Sequence, residues 1–506
     1  NVDNAITALF TRLLKIDHQG VLVDPIRPDL RQYNEWIKHV VHEIQSIVGR
    51  PTPWTYEEFA LSFADTLRRN RYLKEVYRIE KGLFSWHELI KTNSFLKDEK
   101  VLFDAKPYQA GRIVQSAAYI YHVLLGRFIK PLGPKIFKAI DQIEGYTCIA
   151  KKQNALQQAE AIKKARQRIP GTVITLSIDS TKYDSSVRGD NKKVEEKVYT
   201  ACVPKNYQTE LKRLLKIQRK VRGKILCKDG QVSYEAECRR SGDVNTGDGN
   251  TIISYFKVRH ACERLNIPKS HRSFTINGDD ILVHVAKKYA RKLMSHIAEY
   301  DEEWGFRTTI DSVARSMESI EFCQMHPIQY DHDEYIMVRN PTKSLQTDLC
   351  TLKRINNSKE YYGHLYNIAQ CGLAVTDGLP LFEKFYRSLD KATSNKQYAK
   401  IPLEKNGLYY MSRNMNISAV KVNRELALAD LLAAYNLNAS TVKYLENLYD
   451  NIEYTYKKVE SPVSTNPKFS AMFGYNIRFN KCNYIDRYNR PENDWMYNTD
   501  FINSLY

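Results

Sequence analysis

Two short apolar runs, Ser273-Phe-Thr-Ile276 and Ile281-Leu-Val-His-Val285, flank the polar string Asn277-Gly278-Asp279-Asp280. Each run is the length of a strand and too short for a self-burying helix, and Asn-Gly between apolar runs is a hairpin signal. The chain must fold back on itself here, with acids at the tip of the hairpin. Earlier in the chain, Val173-Ile-Thr-Leu-Ser-Ile178 is a second buried-strand pattern. It ends on Asp179, and Asp184 follows five residues on. A strand that ends in an acid, set beside a hairpin tipped with acids, restricts both the fold and its chemistry.

A third element lies between them. Ser241-Gly242-x3-Thr246-x3-Asn250 reads as a flexible Ser-Gly loop entering a helix that runs from about Thr246 to Leu265 and ends before Pro268. Thr246 and Asn250 stand at i and i+4, so they share a helix face. Two short hydrogen-bonding side chains on one face suit reading a ribose better than packing a core. Each piece has a plain alternative: Gly-Asp-Asp is a common turn, Asp-x4-Asp a capped loop, and the Ser-Gly…Thr…Asn string an ordinary N-capped helix. Together and in this order they match a single need. Phosphoryl transfer between nucleotides uses two divalent cations about 3.5–4 Å apart, one activating a 3′-hydroxyl and one holding the triphosphate. Hard cations such as Mg²⁺ take carboxylate oxygens and retain water, which Asp residues on adjacent strands supply.

Charge agrees with an anionic partner. The 506 residues hold 76 Lys+Arg against 58 Asp+Glu, a formal charge of +18, and a polycation is drawn to phosphate. With 43% hydrophobic residues the chain is not a disordered tail, and its length suggests about three domains or one body of subdomains. No run approaches a membrane-spanning length. The apolar stretch Ala5 to Leu14 is interrupted by Thr7, Thr11 and Arg12 and has no basic leader, so it does not read as a signal peptide. A start at Asn1 suggests a processed or excised piece. Nine cysteines with no C-x-x-C pair point to a reducing compartment. Cys323-x2-His326 with His332 lacks four ligands at zinc spacing, and no Walker-type phosphate loop occurs. The tyrosines outnumber the phenylalanines, 34 to 18, and read mainly as half-buried packing residues.

The first 100 residues read as helices with breaks at Pro51-Thr-Pro53 and near Gly82, with Thr55 and Glu58 forming a capping box. Residues 150–170 read as a helix stopped by Pro170-Gly171, and residues 191–222 as basic helices that face either solvent or RNA. Lys224 to Tyr234 reads as a hairpin turning at Asp229-Gly230. Helices return beyond 341; Val422 to Tyr435 and Ser440 to Tyr449 are clearest, with Asn438 or Ser440 capping the second.

The order Asp179/Asp184, Ser241 to Asn250, Gly278-Asp279-Asp280 resembles motifs A, B and C of RNA-dependent RNA polymerases of positive-strand RNA viruses. Cys238-Arg-Arg-Ser-Gly-Asp-Val-Asn-Thr-Gly-Asp-Gly-Asn250 is most similar to the tombusvirus-like group, with nodavirus and flavivirus polymerases more distant. Phe95-Leu-Lys-Asp-Glu-Lys100, Arg112-Ile-Val-Gln115 and Leu125-Gly-Arg127 resemble the basic fingers motif F. Ile320-Glu-Phe-Cys-Gln324 resembles motif E and Met337-Val-Arg-Asn-Pro341 the segment after it, so the likeness covers roughly residues 53–345. It implies an α+β right-hand fold: N-terminal region and fingers 1–171, palm 172–190 and 236–340, a fingers insertion 191–235, and a helical thumb with C-terminal tail 341–506.

The resemblance also implies roles. Asp179 and Asp279 would be the principal ligands of two Mg²⁺ (or Mn²⁺) ions, with Asp280 an auxiliary acid. Asp184 and Asn250 would monitor the ribose 2′-hydroxyl, with Thr246 supporting them. Ser241 and Gly242 would form a mobile loop against template and incoming base. Lys106, Arg112 and Arg127 would meet triphosphate charge, and Lys97, Lys100 and Arg307 would contact template or product RNA. Related enzymes carry a motif D lysine as a candidate acid for pyrophosphate. Here Trp304-Gly-Phe-Arg-Thr-Thr-Ile310 offers Arg307, with Thr309 at the aligned position, and arginine is a poor proton donor. The expected partners are template and product RNA, NTPs and replication-complex proteins. The expected place is the host-cell cytoplasm at membrane-associated sites, anchored through sequence outside this chain. Two rivals remain at this stage: a reverse transcriptase, which the Asp184/Asn250 pair disfavours, and a non-catalytic basic RNA-binding protein.

Overall fold

The structure is a computed structural model that describes residues 2–18, 21–97, 110–403, 407–417 and 421–456. Among these, a small hairpin pairs β1 (Ile16–His18) with β2 (Val21–Val23). The remaining strands are β3 (Lys91–Leu96), β4 (Ile113–Ala117), β5 (Val173–Ser180), β6 (Val221–Cys227), β7 (Gly230–Ala236), β8 (Arg272–Asn277), β9 (Asp280–Ala286), β10 (Thr308–Ala314), β11 (Met325–Asp331) and β12 (Glu334–Arg339). Helices fill most of the rest, so the architecture is α+β, as expected from the sequence.

The central sheet has the order β10-β5-β9-β8, antiparallel throughout. Its two central strands, β5 and β9, are largely apolar, and helices cover the face that carries them. The Tyr119–Glu144, Gly189–Ala201, Thr246–Arg264 and Lys287–Glu303 helices share one hydrophobic cluster with Leu176, Ile178, Ile281 and Val283. The Thr246–Arg264 helix is buried along almost its whole length, and polar groups inside it must therefore find partners. A second sheet, β4-β3-β6-β7, has β3 and β6 parallel, and Ala5 and Leu9 of the Val2–Leu9 helix pack on its β6–β7 hairpin. The β11–β12 ribbon joins a separate apolar cluster with the Ser358–Thr376, Phe382–Ser394 and Arg424–Tyr435 helices.

Local signals in the sequence survive folding. Thr55 and Glu58 form the reciprocal capping box, Asn154 starts the Ala155–Gln167 helix, and Asn438 caps Ala439–Asn451. The β6–β7 hairpin turns one residue earlier than expected: Cys227 pairs with Gly230, leaving Lys228 and Asp229 at the turn. Among the described residues no helix is long and apolar enough to cross a membrane.

Candidate active site

Asp179 is the last outward-facing residue of β5, and successive strand residues point to opposite faces. Ile178 and Ser180 turn inward while Asp179 stays open to solvent. In the antiparallel register Ile178 lies opposite Ile281 of β9, so Asp179 falls beside Asp280, the first residue of that strand. Asn277 pairs with Asp280, leaving Gly278 and Asp279 as a two-residue turn. Gly278 has φ +73° while Asp279 keeps an ordinary negative φ, which is the geometry that puts glycine first in a tight hairpin turn. The turn is clamped from below. Thr251 Oγ1 accepts the Gly278 N–H at 3.0 Å, and Ser254 Oγ donates to the Gly278 carbonyl at 2.8 Å. The Thr246–Arg264 helix thus sets where Asp279 sits.

The acids crowd one another. Asp279 is pushed up to about 6, first by loss of solvation between the surrounding elements and then by the charges of Asp280, Asp184 and Asp179. Asp280 is raised by the same desolvation and by Asp179 and Glu321, against a 3.4 Å hydrogen bond from the Cys323 thiol that lowers it. Asp179 is raised by desolvation and by Asp311, with Lys257 opposing. Among the described residues none of these three carboxylates forms an ion pair. Nor, among them, do three acid, imidazole or thiol groups converge as a ready-made metal cage. A hard dication that completes its shell with water and phosphate oxygens needs only one or two carboxylates, so the donor chemistry fits Mg²⁺ or Mn²⁺.

Beside this cluster, Asn250 Nδ2 donates to Asp184 Oδ1 at 3.0 Å. Burial raises Asp184, while Asn250, Arg239, Lys192 and Arg112 favour its charged form. Arg112, just before β4, therefore lies within electrostatic reach of Asp184. Thr246 behaves differently from expectation: its hydroxyl donates to the Arg240 carbonyl at 2.8 Å and holds the loop before the helix. Ser241 Oγ accepts from Gln115 N at 3.1 Å, and Gly242 N–H donates to Gln115 O at 2.9 Å. The Ser-Gly loop is thereby stitched to β4.

Other expected residues fall elsewhere. Arg127 lies in the Tyr119–Glu144 helix, 3.8 Å from Glu210 and against the rings of Tyr56 and Tyr207. Lys97 pairs by its backbone N–H with the Arg112 carbonyl at 2.8 Å. The Arg307 carbonyl accepts the Thr181 N–H at 2.9 Å, and Thr309 stands opposite Asp179 across the β10–β5 ladder. Lys100 and Lys106 lie outside the described residues. His326 Nδ1 contacts the Glu318 carbonyl at 2.9 Å, whereas Cys323 faces Asp280.

Sequence reasoning missed the supports. Lys257 Nζ pairs with Asp301 at 2.7 Å and donates to Ser180 Oγ at 2.8 Å, all fully buried directly behind Asp179. Tyr183 OH reaches the Asn250 carbonyl at 3.1 Å and Ser254 Oγ at 2.9 Å. Much of the basic stretch 191–222 is also consumed internally. Lys192 is buried and donates to the Cys238 carbonyl at 2.9 Å, Arg219 pairs with Glu196, and Arg213 stacks 3.5 Å over Trp86. An apolar neighbour spacing for Lys257 was visible in the sequence, but its partner Asp301 lies 44 residues on.

A family model described as viral RNA dependent RNA polymerase matches residues 1–457, well beyond the 53–345 stretch whose motifs carry the resemblance. Curated RNA-directed RNA polymerases are similar: that of groundnut rosette virus (strain MC1) is 28% identical over 89% of this chain and 52% of its own length. That of tobacco necrosis virus (strain A) is 30% identical over 79% of this chain and 54% of its own length. The tobacco necrosis virus (strain D) protein is 28% identical, over 85% and 58%. The chain spans little more than half the length of these relatives.

Proposed function

The chain belongs to the viral RNA-dependent RNA polymerase family, and on that premise we propose that it synthesises RNA on an RNA template. The reaction is attack of an RNA 3′-hydroxyl on the α-phosphate of an NTP, with release of pyrophosphate. One observation carries this reading: Asp179, Asp279 and Asp280 lie at the open end of the central sheet, mutually repelling and without an ion pair among the described residues, beside the Asp184–Asn250 couple. A structural role gives no reason to gather carboxylates this way.

Asp179 and Asp279 would hold the two divalent ions, with Asp280 adjoining. Bound there, the ions supply activation of the 3′-hydroxyl and stabilisation of charge on the triphosphate. The chain's own groups do the rest. Asp184 accepts a hydrogen bond from a ribose 2′-hydroxyl while Asn250 keeps that carboxylate turned to the sugar. Arg112 faces the triphosphate with a planar, permanently charged donor. Arg127 has no part in this proposal, since its guanidinium is engaged with Glu210. Arginine is a poor proton donor, so Arg307 would aid pyrophosphate departure by its charge and not by a proton.

In this reading the segments 172–190 and 236–340 form a palm, 1–171 and 191–235 the fingers, and 341–506 a thumb and tail. Template and product RNA and NTPs are the ligands. Replication-complex proteins at membrane-associated sites in the host cytoplasm are the setting. The test is primer-free synthesis by the purified chain on a defined RNA template with four NTPs and Mg²⁺. Complementary RNA that vanishes with chelator is expected; product made from dNTPs in preference would overturn the reading in favour of a reverse transcriptase.

A further inference from the structure

Asn250 can hydrogen-bond Asp184 only if its side-chain amide is turned the right way, because one end of that amide donates and the other accepts. If the amide were flipped, its oxygen would face the Asp184 carboxylate and repel it. The structure contains a device that fixes the choice. Arg239 Nε donates to Asn250 Oδ1 at 2.9 Å, so the amide oxygen is already taken and Nδ2 is left for Asp184. Arg239 also passes its backbone N–H to the Asp184 carbonyl at 2.7 Å, holding both members of the couple.

Arg239 is itself immobilised. Its Nη1 donates to Glu195 Oε1 at 2.5 Å, and the two side chains are 1% and 0% exposed. Glu195 comes from the Gly189–Ala201 helix, so a segment 44 residues earlier in the chain grips this guanidinium. Space for the pair is made by Gly249. A Cβ there would lie 1.6 Å from Glu195 Oε2 and 2.6 Å from Arg239 Nη2, contacts that no ordinary adjustment relieves. Burying a charged pair is costly, and hydrophobic replacements are often as stable, so the pair's presence calls for a task other than stability.

We propose that Arg239, held by Glu195 in the pocket opened by Gly249, is a positioning residue for sugar selection: it orients the Asn250 amide so that Asp184 presents its carboxylate to a ribose 2′-hydroxyl. This rests on the reading of Asp184 and Asn250 as the ribose site. Arg239 touches neither the sugar nor the metals. Its loss acts on the choice between NTP and dNTP more than on the rate with the correct substrate.

The experiment compares two charge-neutral double variants of the full chain. In one, Glu195→Gln is combined with Arg239→Gln, whose Nε2 falls where Arg239 Nε stood and still donates to Asn250. In the other, Glu195→Gln is combined with Arg239→Met, which has nearly the same length and no donor. The ratio of kcat/KM for UTP over dUTP is measured on one primed RNA template, with template binding and thermal unfolding read in parallel. The glutamine pair is expected to keep the wild-type ratio, and the methionine pair to lose about fivefold or more of it, the scale of one lost polar contact. Arg239→Lys keeps the buried charge balance but lacks the Nε donor; it is expected to behave like the methionine pair and serves if the doubles do not fold. Equal, wild-type discrimination in all three overturns the proposal. Asn250→Ala is run beside them. If it changes the ratio while the Arg239 variants do not, only the positioning role falls; if it leaves the ratio unchanged, the ribose reading falls and the proposal with it.

Discussion

The two sides of the end of β5 treat negative charge in opposite ways. On the buried side, Asp301 is paired: Lys257 Nζ at 2.7 Å and Thr308 Oγ1 at 2.6 Å both reach its Oδ2, and Ser180 closes the group by bonding Lys257 at 2.8 Å and Thr308 at 3.1 Å. On the open side, one residue away along the strand, Asp179 meets Asp279 and Asp280 with no cation in an ion pair among the described residues. The fold neutralises the buried carboxylate with a lysine, whereas among the described residues the carboxylates above the sheet have no such ion pair. Burial does not by itself mark a functional acid: Asp301 is buried and serves the fold, whereas the crowded carboxylates above it are exposed.

Substitutions on the two sides should therefore diverge. Asp179→Asn is expected to lower single-nucleotide addition by about a thousandfold or more while leaving thermal unfolding near wild type, because the acid's work is electrostatic. An effect on stability with unchanged addition would reverse the assignment. Lys257→Met strands Asp301 as a buried charge and should cost about 3–5 kcal/mol of folding stability in denaturant titration. Replacing both as Lys257→Met with Asp301→Asn should return much of that loss.

A third test sharpens the contrast within the sheet itself. His284 of β9 is fully buried between Thr175 Oγ1 at 2.9 Å and Thr275 Oγ1 at 3.1 Å, and desolvation pulls it down to about 3. The fold keeps it neutral, whereas the unfolded chain takes up a proton below about pH 6.5. Its contribution is present above that value and is lost as pH falls toward 3. Between pH 7 and pH 5 the cost is about 2 kcal/mol, which His284→Gln should remove from the measured pH dependence. The smallest effect is expected at the edge of the second sheet. Lys220 and Arg222 both pair with Glu235 there, in solvent, and Lys220→Gln should change stability by about 0.5 kcal/mol or less.

What was legible in the sequence was local. The hairpin at Asn277 to Asp280, the strand ending at Asp179, the helix beginning at Thr246 and the capping boxes are set by neighbours a few residues apart. The Asp184–Asn250 couple was legible because a family pattern joined positions that spacing alone could not. The supports were not. Lys257 meets Asp301 and Arg239 meets Glu195 only after helices pack, and a Lys or Glu in a helix reads as a solvated face until its partner is known. The same blindness misplaced charge in the other direction. Arg127 sits in a string that looks like a nucleotide-facing motif, and Glu210 from another helix lies 3.8 Å from its guanidinium. Lys192 belongs to a basic run that suggested RNA, and backbone carbonyls claim it instead. Thr246 shares a helix face with Asn250, but it stands at the start of the helix beside the preceding loop, and its hydroxyl goes to the Arg240 carbonyl.

The central claim is that the carboxylates above β5 serve nucleotide addition and not the fold. It is tested most directly by Asp279→Asn in single-nucleotide addition on an RNA template with Mg²⁺, with RNA affinity and unfolding measured on the same preparation. Addition reduced to background with RNA binding and stability retained is the expected result. Extension at the wild-type rate by the folded variant would contradict the account.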